Sequence, residues 1–309
     1  MVRPAKLTDE AWALLSNLPP RPPRRARSVD DNRAGLRAAT DLFGAVTPVA
    51  AVHNALVPAE TAIPVRVYHP LPGTQLPAVI YAHGGGWVLG DLDTHDRLCR
   101  AIASTTPCAV IAVDYRRAPE HRYPAALDDV YQVLCYVADH GDDLGVDASR
   151  LALAGDSAGG QLAAAAALRA RDHGPSVNHL VLIMPDVDNH PERWSTHREF
   201  AEDFGMYYDD QIWYYEQYFG PQWQQASGPG VAPIDADLRG LPGCTMVIAE
   251  CDPVRGEDEE FARRLAAAGV AVQVQTFQGM FHPFILFRDL QASQHAEAFI
   301  CQELRAAFA

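Results

Sequence analysis

What the chain lacks narrows it first. No Cys-x-x-Cys pair occurs, and the cysteines stand apart at 99, 108, 135, 244, 251 and 301, so neither a zinc site nor a dithiol redox motif is spelled out. They read as small buried hydrophobes in a reducing compartment. Basic charge is in deficit: 25 Lys and Arg face 39 Asp and Glu. The resulting formal net charge of −14 argues against nucleic acid and anionic membrane surfaces as partners. No stretch approaches the ~18 consecutive apolar residues that would span a bilayer. The amino-terminal MVRPAKLTDEAWALLSNLPPRPPRR also lacks the continuous apolar centre of a signal peptide. The default expectation is therefore a soluble cytoplasmic protein, monomeric or homodimeric.

What is present is enough apolar material for a large core. With 309 residues, 48% of them hydrophobic, the chain suits one large α/β domain with an appendage rather than a disordered segment. Residues 1–45 differ from the rest. An amphipathic segment around Glu10–Leu18 leads into Pro19-Pro20-Arg21-Pro22-Pro23-Arg24-Arg25, which cannot lie inside a helix, and a second helical pattern covers Val29–Phe43. Beyond about residue 48, apolar strand patterns (Ile63–Tyr68, Ala78–Ala82, Ala109–Val113, Leu151–Ala154, Leu180–Met184, Thr245–Ala249, Val270–Phe277) alternate with helical ones. Those helices are expected near Thr94–Ala103, Pro124–Val137, Ala158–Arg171, Asp258–Ala268 and Ser293–Ala307. Strands that are apolar throughout, alternating with helices, predict a mainly parallel sheet covered on both faces. Only residues 185–240 break the rhythm, with an aromatic-rich stretch that reads as helices above the strand ends.

Two glycine-bearing motifs carry chemistry. Gly155-Asp156-Ser157-Ala158-Gly159 follows a strand and precedes a helix, the context in which Gly-x-Ser-x-Gly forms a nucleophile elbow. The turn has no room for side chains at its glycines, and it raises the Ser157 hydroxyl above the sheet at a helix N-terminus. His83-Gly84-Gly85-Gly86-Trp87 ends an earlier strand. A glycine run by itself is only a flexible turn. Beside an elbow, it can direct the N–H groups of Gly85 and Gly86, with that of Ala158, at a developing oxyanion. His83 then supports the loop rather than acting as base.

A base and an acid complete the set. His282, in Gln278-Gly279-Met280-Phe281-His282-Pro283, follows the last strand pattern and fits the chain order serine, acid, histidine. The remaining histidines, such as His53, His140, His173 and His295, read as solvated. Asp252 follows the strand at 245–249 and is the favoured acid, with Asp188 as competitor and Asp186 beside it. Glu250 would point the opposite way from an extended chain. Asp114, Asp128 and Asp129 read as structural.

Together these residues resemble the hormone-sensitive-lipase-like carboxylesterases. The likeness covers about residues 50–300 and rests on His83–Trp87, Asp114–Asp129 (DYRRAPEHRYPAALDD), Gly155–Gly160, Asp252-Pro253-Val254-Arg255 and the His282 loop. The resemblance implies an eight-stranded α/β-hydrolase core from 46–184 and 241–309, with a helical cap from 1–45 and 185–240. It implies Ser157, Asp252 and His282 as triad, Gly85, Gly86 and Ala158 as oxyanion hole, and His83, Gly84, Gly155, Asp156 and Gly159 as support. No metal or organic cofactor is implied. The chain departs from the family in having Pro283 after the histidine and Gly256-Glu257-Asp258 in place of an Asp-Glu-Gly order.

The expected reaction is hydrolysis of short- to medium-chain carboxylic esters through an acyl-enzyme, with Trp87, Trp213 and Tyr214 lining an apolar pocket. A deacetylase or amidase would use the same triad. Non-catalytic receptors on this fold commonly lose the base, so retention of all three residues argues against a receptor.

Overall fold

The computed structural model describes residues 4, 6–18, 22–202 and 204–309. Its strands are β1 Ala51–Val57, β2 Ile63–His69, β3 Leu76–Ala82, β4 Ala109–Val113, β5 Val146–Asp156, β6 His179–Ile183, β7 Gly243–Cys251 and β8 Val272–Phe281. They form one eight-stranded sheet in the order β1-β2-β4-β3-β5-β6-β7-β8. The β1–β2 and β2–β4 pairs are antiparallel, and every pair from β4–β3 to β7–β8 is parallel. This is the α/β-hydrolase fold expected from the sequence. β1 is a strand that the patterning did not single out.

Helices cover the sheet: α1 Asp9–Asn17, α2 Val29–Ala38, α3 Asp96–Thr105, α4 Ala125–His140, α5 Ala158–His173, α6 Thr196–Glu199, α7 Tyr208–Tyr218, α8 Arg255–Ala267 and α9 Gln291–Ala307. Alternation along β3 divides the core in two. Ala78, Ile80 and Ala82 face one side with Val130 and Leu134 of α4, Leu162 of α5 and Leu265 of α8. Val79 and Tyr81 face the other with Leu98 and Ile102 of α3 and Ile300 and Leu304 of α9. Both faces of the strand are thus buried, which explains why its sequence is apolar without interruption.

The two irregular regions lie at one end of the sheet. α1 and α2 start on side-chain caps, Thr8 accepting from the Ala11 N–H and Ser28 from that of Asp31. Of the proline-rich run, residues 19–21 lie outside the described residues. The remainder is a single tight turn over Arg24–Ala26, flanked by extended backbone at Pro23. Residues 185–240 contain α6, α7 and three short turns, and no strand among the described residues. The two regions meet through Arg25–Glu216 and through the Arg24 N–H donating to Asp210. No described helix is long and apolar enough to cross a membrane.

Candidate active site

Ser157 sits between β5 and α5 with φ 54° and ψ −125°, a backbone conformation that side chains rarely adopt. The neighbouring chain holds it there. The Ser157 N–H donates to Ile183 O at 2.9 Å, and its carbonyl accepts from Gln161 N at 3.1 Å. A methyl on Gly159 would collide with the Ala82 and His83 carbonyls, and one on Gly155 with the Gly159 backbone and the Ala82 carbonyl. The elbow can therefore pack on the end of β3 only with glycine at both positions.

His282 follows β8, and its Nε2 lies 2.9 Å from Ser157 Oγ. Its Nδ1 lies 2.8 Å from Oδ2 of Asp252, which follows β7. The other Asp252 oxygen accepts from Val254 N at 3.0 Å, so the carboxylate is fixed at both ends. Asp252 is fully buried and His282 nearly so. Burial disfavours a charged imidazole, but the Asp252 charge and hydrogen bond outweigh it and hold the His282 pKa above its ordinary value.

Asp188 and Asp186 are placed differently. Asp188 accepts from His190 N and Trp194 Nε1, both at 2.9 Å, and pairs with Arg193. Asp186 accepts from Tyr215 Oη at 2.8 Å, and burial, helped by the Glu257 charge, pushes its pKa up to about 8. Glu250 faces away, accepting from the Gly279 N–H at 2.7 Å.

The glycine loop is built from beneath. Asp156 accepts from Tyr81 Oη at 2.7 Å and from Gly84 N at 3.0 Å, and its other oxygen lies 3.2 Å from His95 Nε2. Burial alone would raise its pKa, yet the His95 ring and these donors bring it down to about 2. Asp156 is thus a charged brace between elbow and loop. His83 is stacked on Tyr115 with ring centroids 4.2 Å apart, and burial pushes its pKa down to about 3. A neutral ring hydrogen-bonded to the Gly84 carbonyl is a support for the loop. The turn opens at Gly85 and Gly86, with φ 118° and 61°, and both glycines line the same cavity as Ser157. Ala158 begins α5, so its N–H lies at the helix's positive end.

That cavity, about 120 Å³, is walled by residues from both irregular regions, among them Leu36, Met206 and Tyr214, and by Pro283 and Leu286 after the histidine. Tyr214 covers Gly86 so closely that a methyl there would strike its ring. Trp87 and Trp213, expected beside it, do not line the cavity. Trp87 is 1% exposed, stacks on Tyr218 at 4.8 Å, and donates from Nε1 to Gln161 at 3.1 Å, which fastens the loop to α5 and α7. Trp213 precedes Tyr214 on α7, and neighbours on a helix point about 100° apart, so only one of them faces the site. Trp213 packs into the core instead.

His95 corrects a second expectation. It is buried and braces Asp156, as are His179 against Thr245 and His197 against Glu257, so these three are not solvated. Gly256, the departure beside the acid, has a local reason. The Thr196 hydroxyl fills the space next to it, donating to Pro253 O at 2.7 Å and accepting from Gly256 N at 3.2 Å. Among the described residues, no group of three His, Cys, Asp or Glu is arranged to hold a metal ion.

A mainly parallel sheet with a strained serine at its central strand end, an imidazole beside it and a carboxylate behind that imidazole defines a hydrolase of the α/β-hydrolase class. Comparison with known proteins agrees: residues 79–286 match the family model described as alpha/beta hydrolase fold. A carboxylesterase of Mycobacterium tuberculosis, NlhH, is 40% identical over 238 residues, covering 74% of this chain and 72% of that protein. An ethyl acetate hydrolase of Pseudomonas putida is 36% identical over 229 residues, 72% of this chain and 71% of that one. Among solved structures, the Pyrobaculum calidifontis esterase superimposes with a TM-score of 0.91 at 36% identity, over 98% of this chain and all of that one. The chain belongs to this α/β-hydrolase family, in the hormone-sensitive-lipase-like branch that the motifs resemble. It is a carboxylic ester hydrolase.

Proposed function

We propose that the protein hydrolyses short- to medium-chain carboxylic esters at Ser157 through an acyl-enzyme intermediate. The observation that carries this reading is the pair of contacts running from Ser157 Oγ to His282 and from His282 to Asp252, at 2.9 and 2.8 Å. In the first half-reaction His282 Nε2 takes the hydroxyl proton as Oγ attacks the ester carbonyl. The oxyanion is met by the N–H groups of Gly85, Gly86 and Ala158. Collapse of this intermediate breaks the bond to the alcohol, which leaves with the proton returned by His282. In the second half-reaction His282 deprotonates water, the water attacks the acyl carbon, and Ser157 is regenerated with release of the acid. Asp252 holds the tautomer whose Nε2 is free to accept, and offsets the charge that the ring gains.

The size limit follows from the walls. A cavity of about 120 Å³ roofed by Tyr214 favours small acyl groups over long chains. Residues 1–45 and 185–240 act as the two pieces of a cap over a core formed by 46–184 and 241–309. Six free cysteines suit a reducing, cytoplasmic setting, and the reading holds for a monomer or a homodimer.

Nitrophenyl esters of increasing acyl length provide the test, with Ser157→Ala assayed alongside. Hydrolysis should peak at short or medium chains and fall by several orders of magnitude in the variant. Rates that climb to the longest chains, or that survive loss of the hydroxyl, would refute the proposal.

A further inference from the structure

Among the described residues, Arg24 is the one permanently cationic side chain lining the cavity over Ser157. Two carboxylates line it as well: Asp156, engaged by Tyr81, Gly84 and His95, and Asp210, which accepts from the Arg24 N–H rather than from its guanidinium. Arg24 begins the tight turn between α1 and α2. Its backbone is well anchored: the N–H donates to Asp210 Oδ1 at 2.8 Å, and the carbonyl accepts from Asn32 Nδ2 at 2.8 Å. Its guanidinium is not. Nη1 makes a single 3.4 Å contact with Asn32 Oδ1, and the buried Nε has no hydrogen-bond partner. Among the described residues no carboxylate forms an ion pair with it, whereas Arg33, Arg37, Arg97 and Arg116 each hold one.

The surroundings sharpen the point. Arg24 also lines an adjoining cavity of about 370 Å³ whose walls include Leu18, Leu42 and Phe43, and the two spaces share Leu36, Pro283 and Leu286. Arg27, on the wall of the second cavity, likewise holds no described carboxylate; its Nη2 donates to the Asp31 carbonyl at 2.8 Å. In a chain of net charge −14, acidic partners are abundant. The buried Nε atoms of Arg97 and Arg255 also lack partners, but those guanidiniums hold carboxylates, so it is the missing ion pair at Arg24 that calls for a reason. The planar fork of an arginine can hold a carboxylate through two parallel N–H···O bonds, and the match strengthens when water is excluded.

We propose that Arg24 recognises a carboxylate on the substrate, so that the preferred substrates are esters carrying a second, anionic carboxyl group. Their hydrocarbon part lies in the adjoining groove. Arg24 is on this view a specificity residue rather than a catalytic one. Turnover of such esters rests on the chemistry proposed at Ser157, whereas their binding does not.

The experiment compares 4-acetoxybutanoate with 4-acetoxybutanamide, which match in length and differ in charge. For the unaltered protein, kcat/KM should favour the carboxylate by about tenfold or more, Arg24→Gln should erase most of that ratio, and Arg24→Lys should retain part of it. A ratio near one, or one unchanged by Arg24→Gln, would overturn the proposal. Binding separates the two readings. Calorimetry of 4-acetoxybutanoate with Ser157→Ala should give clearly tighter binding than with Ser157→Ala/Arg24→Gln, and equal affinity would overturn the role of Arg24. Should the unaltered protein cleave neither ester, the chemistry at Ser157 fails, and this binding comparison still decides the case of Arg24.

Discussion

Asp252 and Asp188 are the same side chain at two adjacent strand ends, and their surroundings give them different work. Asp188 spends its oxygens on His190, Arg193 and Trp194, all within its own loop. Asp252 spends one on the chain that follows it and the other on His282. Asp252→Asn should therefore lower kcat by about 10⁴-fold, as expected when an imidazole is held in the wrong tautomer. Asp188→Asn should act mainly on stability. Steady-state kinetics on both variants, with thermal melts, checks the assignment, and a larger kinetic loss in Asp188→Asn would reverse it. The sign of the pH effect follows from the same contact. His282 must be neutral to accept the Ser157 proton, and Asp252 keeps its pKa above the ordinary 6.5. Activity should fall as pH drops through that raised value. In Asp252→Asn the acidic limb of the kcat/KM profile should move to lower pH.

At the scale of elements, the site is a set of strand ends held in register. Gly159→Ala would press a methyl against the Ala82 carbonyl, which belongs to β3 and cannot yield. The variant should lose about 2–3 kcal/mol of stability in urea denaturation, the cost of forcing an added group into a filled core. On α7 the neighbours Trp213 and Tyr214 should separate cleanly. Tyr214→Ala should move the acyl-length optimum upward in the nitrophenyl ester series. Trp213→Ala should cost roughly 3 kcal/mol and leave that optimum in place. The same helix shows what sequence reading reaches and where it stops. Motifs with a steric requirement were legible, because the elbow and the glycine loop admit few residue types. Buried parallel strands were legible from their unbroken apolar runs. β1 was not: it pairs only with β2 at the sheet edge and exposes His53 and Asn54, so it carries no apolar signature. Trp87 and Trp213 were misplaced because an aromatic beside a site and one beneath it look alike in sequence. His95 reads as solvated in sequence because its partner, Asp156, is on a distant strand and only the fold brings them together.

The whole molecule carries an unusual load of buried acid behind the site. Glu257 accepts from the Val187 and Asp188 N–H groups and meets His197, and burial together with the Asp188 charge raises its pKa well above the ordinary range. Asp258, also on α8, is fully buried, and neither of its oxygens has a hydrogen-bond partner. Burial first, and then the charge of Asp252, hold its pKa well above the ordinary 3.8. Unfolded, Asp258 releases its proton near that ordinary value; folded, it keeps the proton to much higher pH. Between the two, the native chain binds a proton that the unfolded chain has lost, so each step up in pH favours unfolding. Asp258→Asn keeps the shape and removes the proton from the balance. Its melting temperature should match that of the unaltered protein near pH 4 and exceed it by a margin that grows toward pH 8. Asp186 and Glu257 still titrate in the variant, so its own curve should keep a shallower slope of the same sign. Melting curves at several pH values decide this, and a gap that stays constant or narrows as pH rises would mean that Asp258 is already ionised in the folded protein.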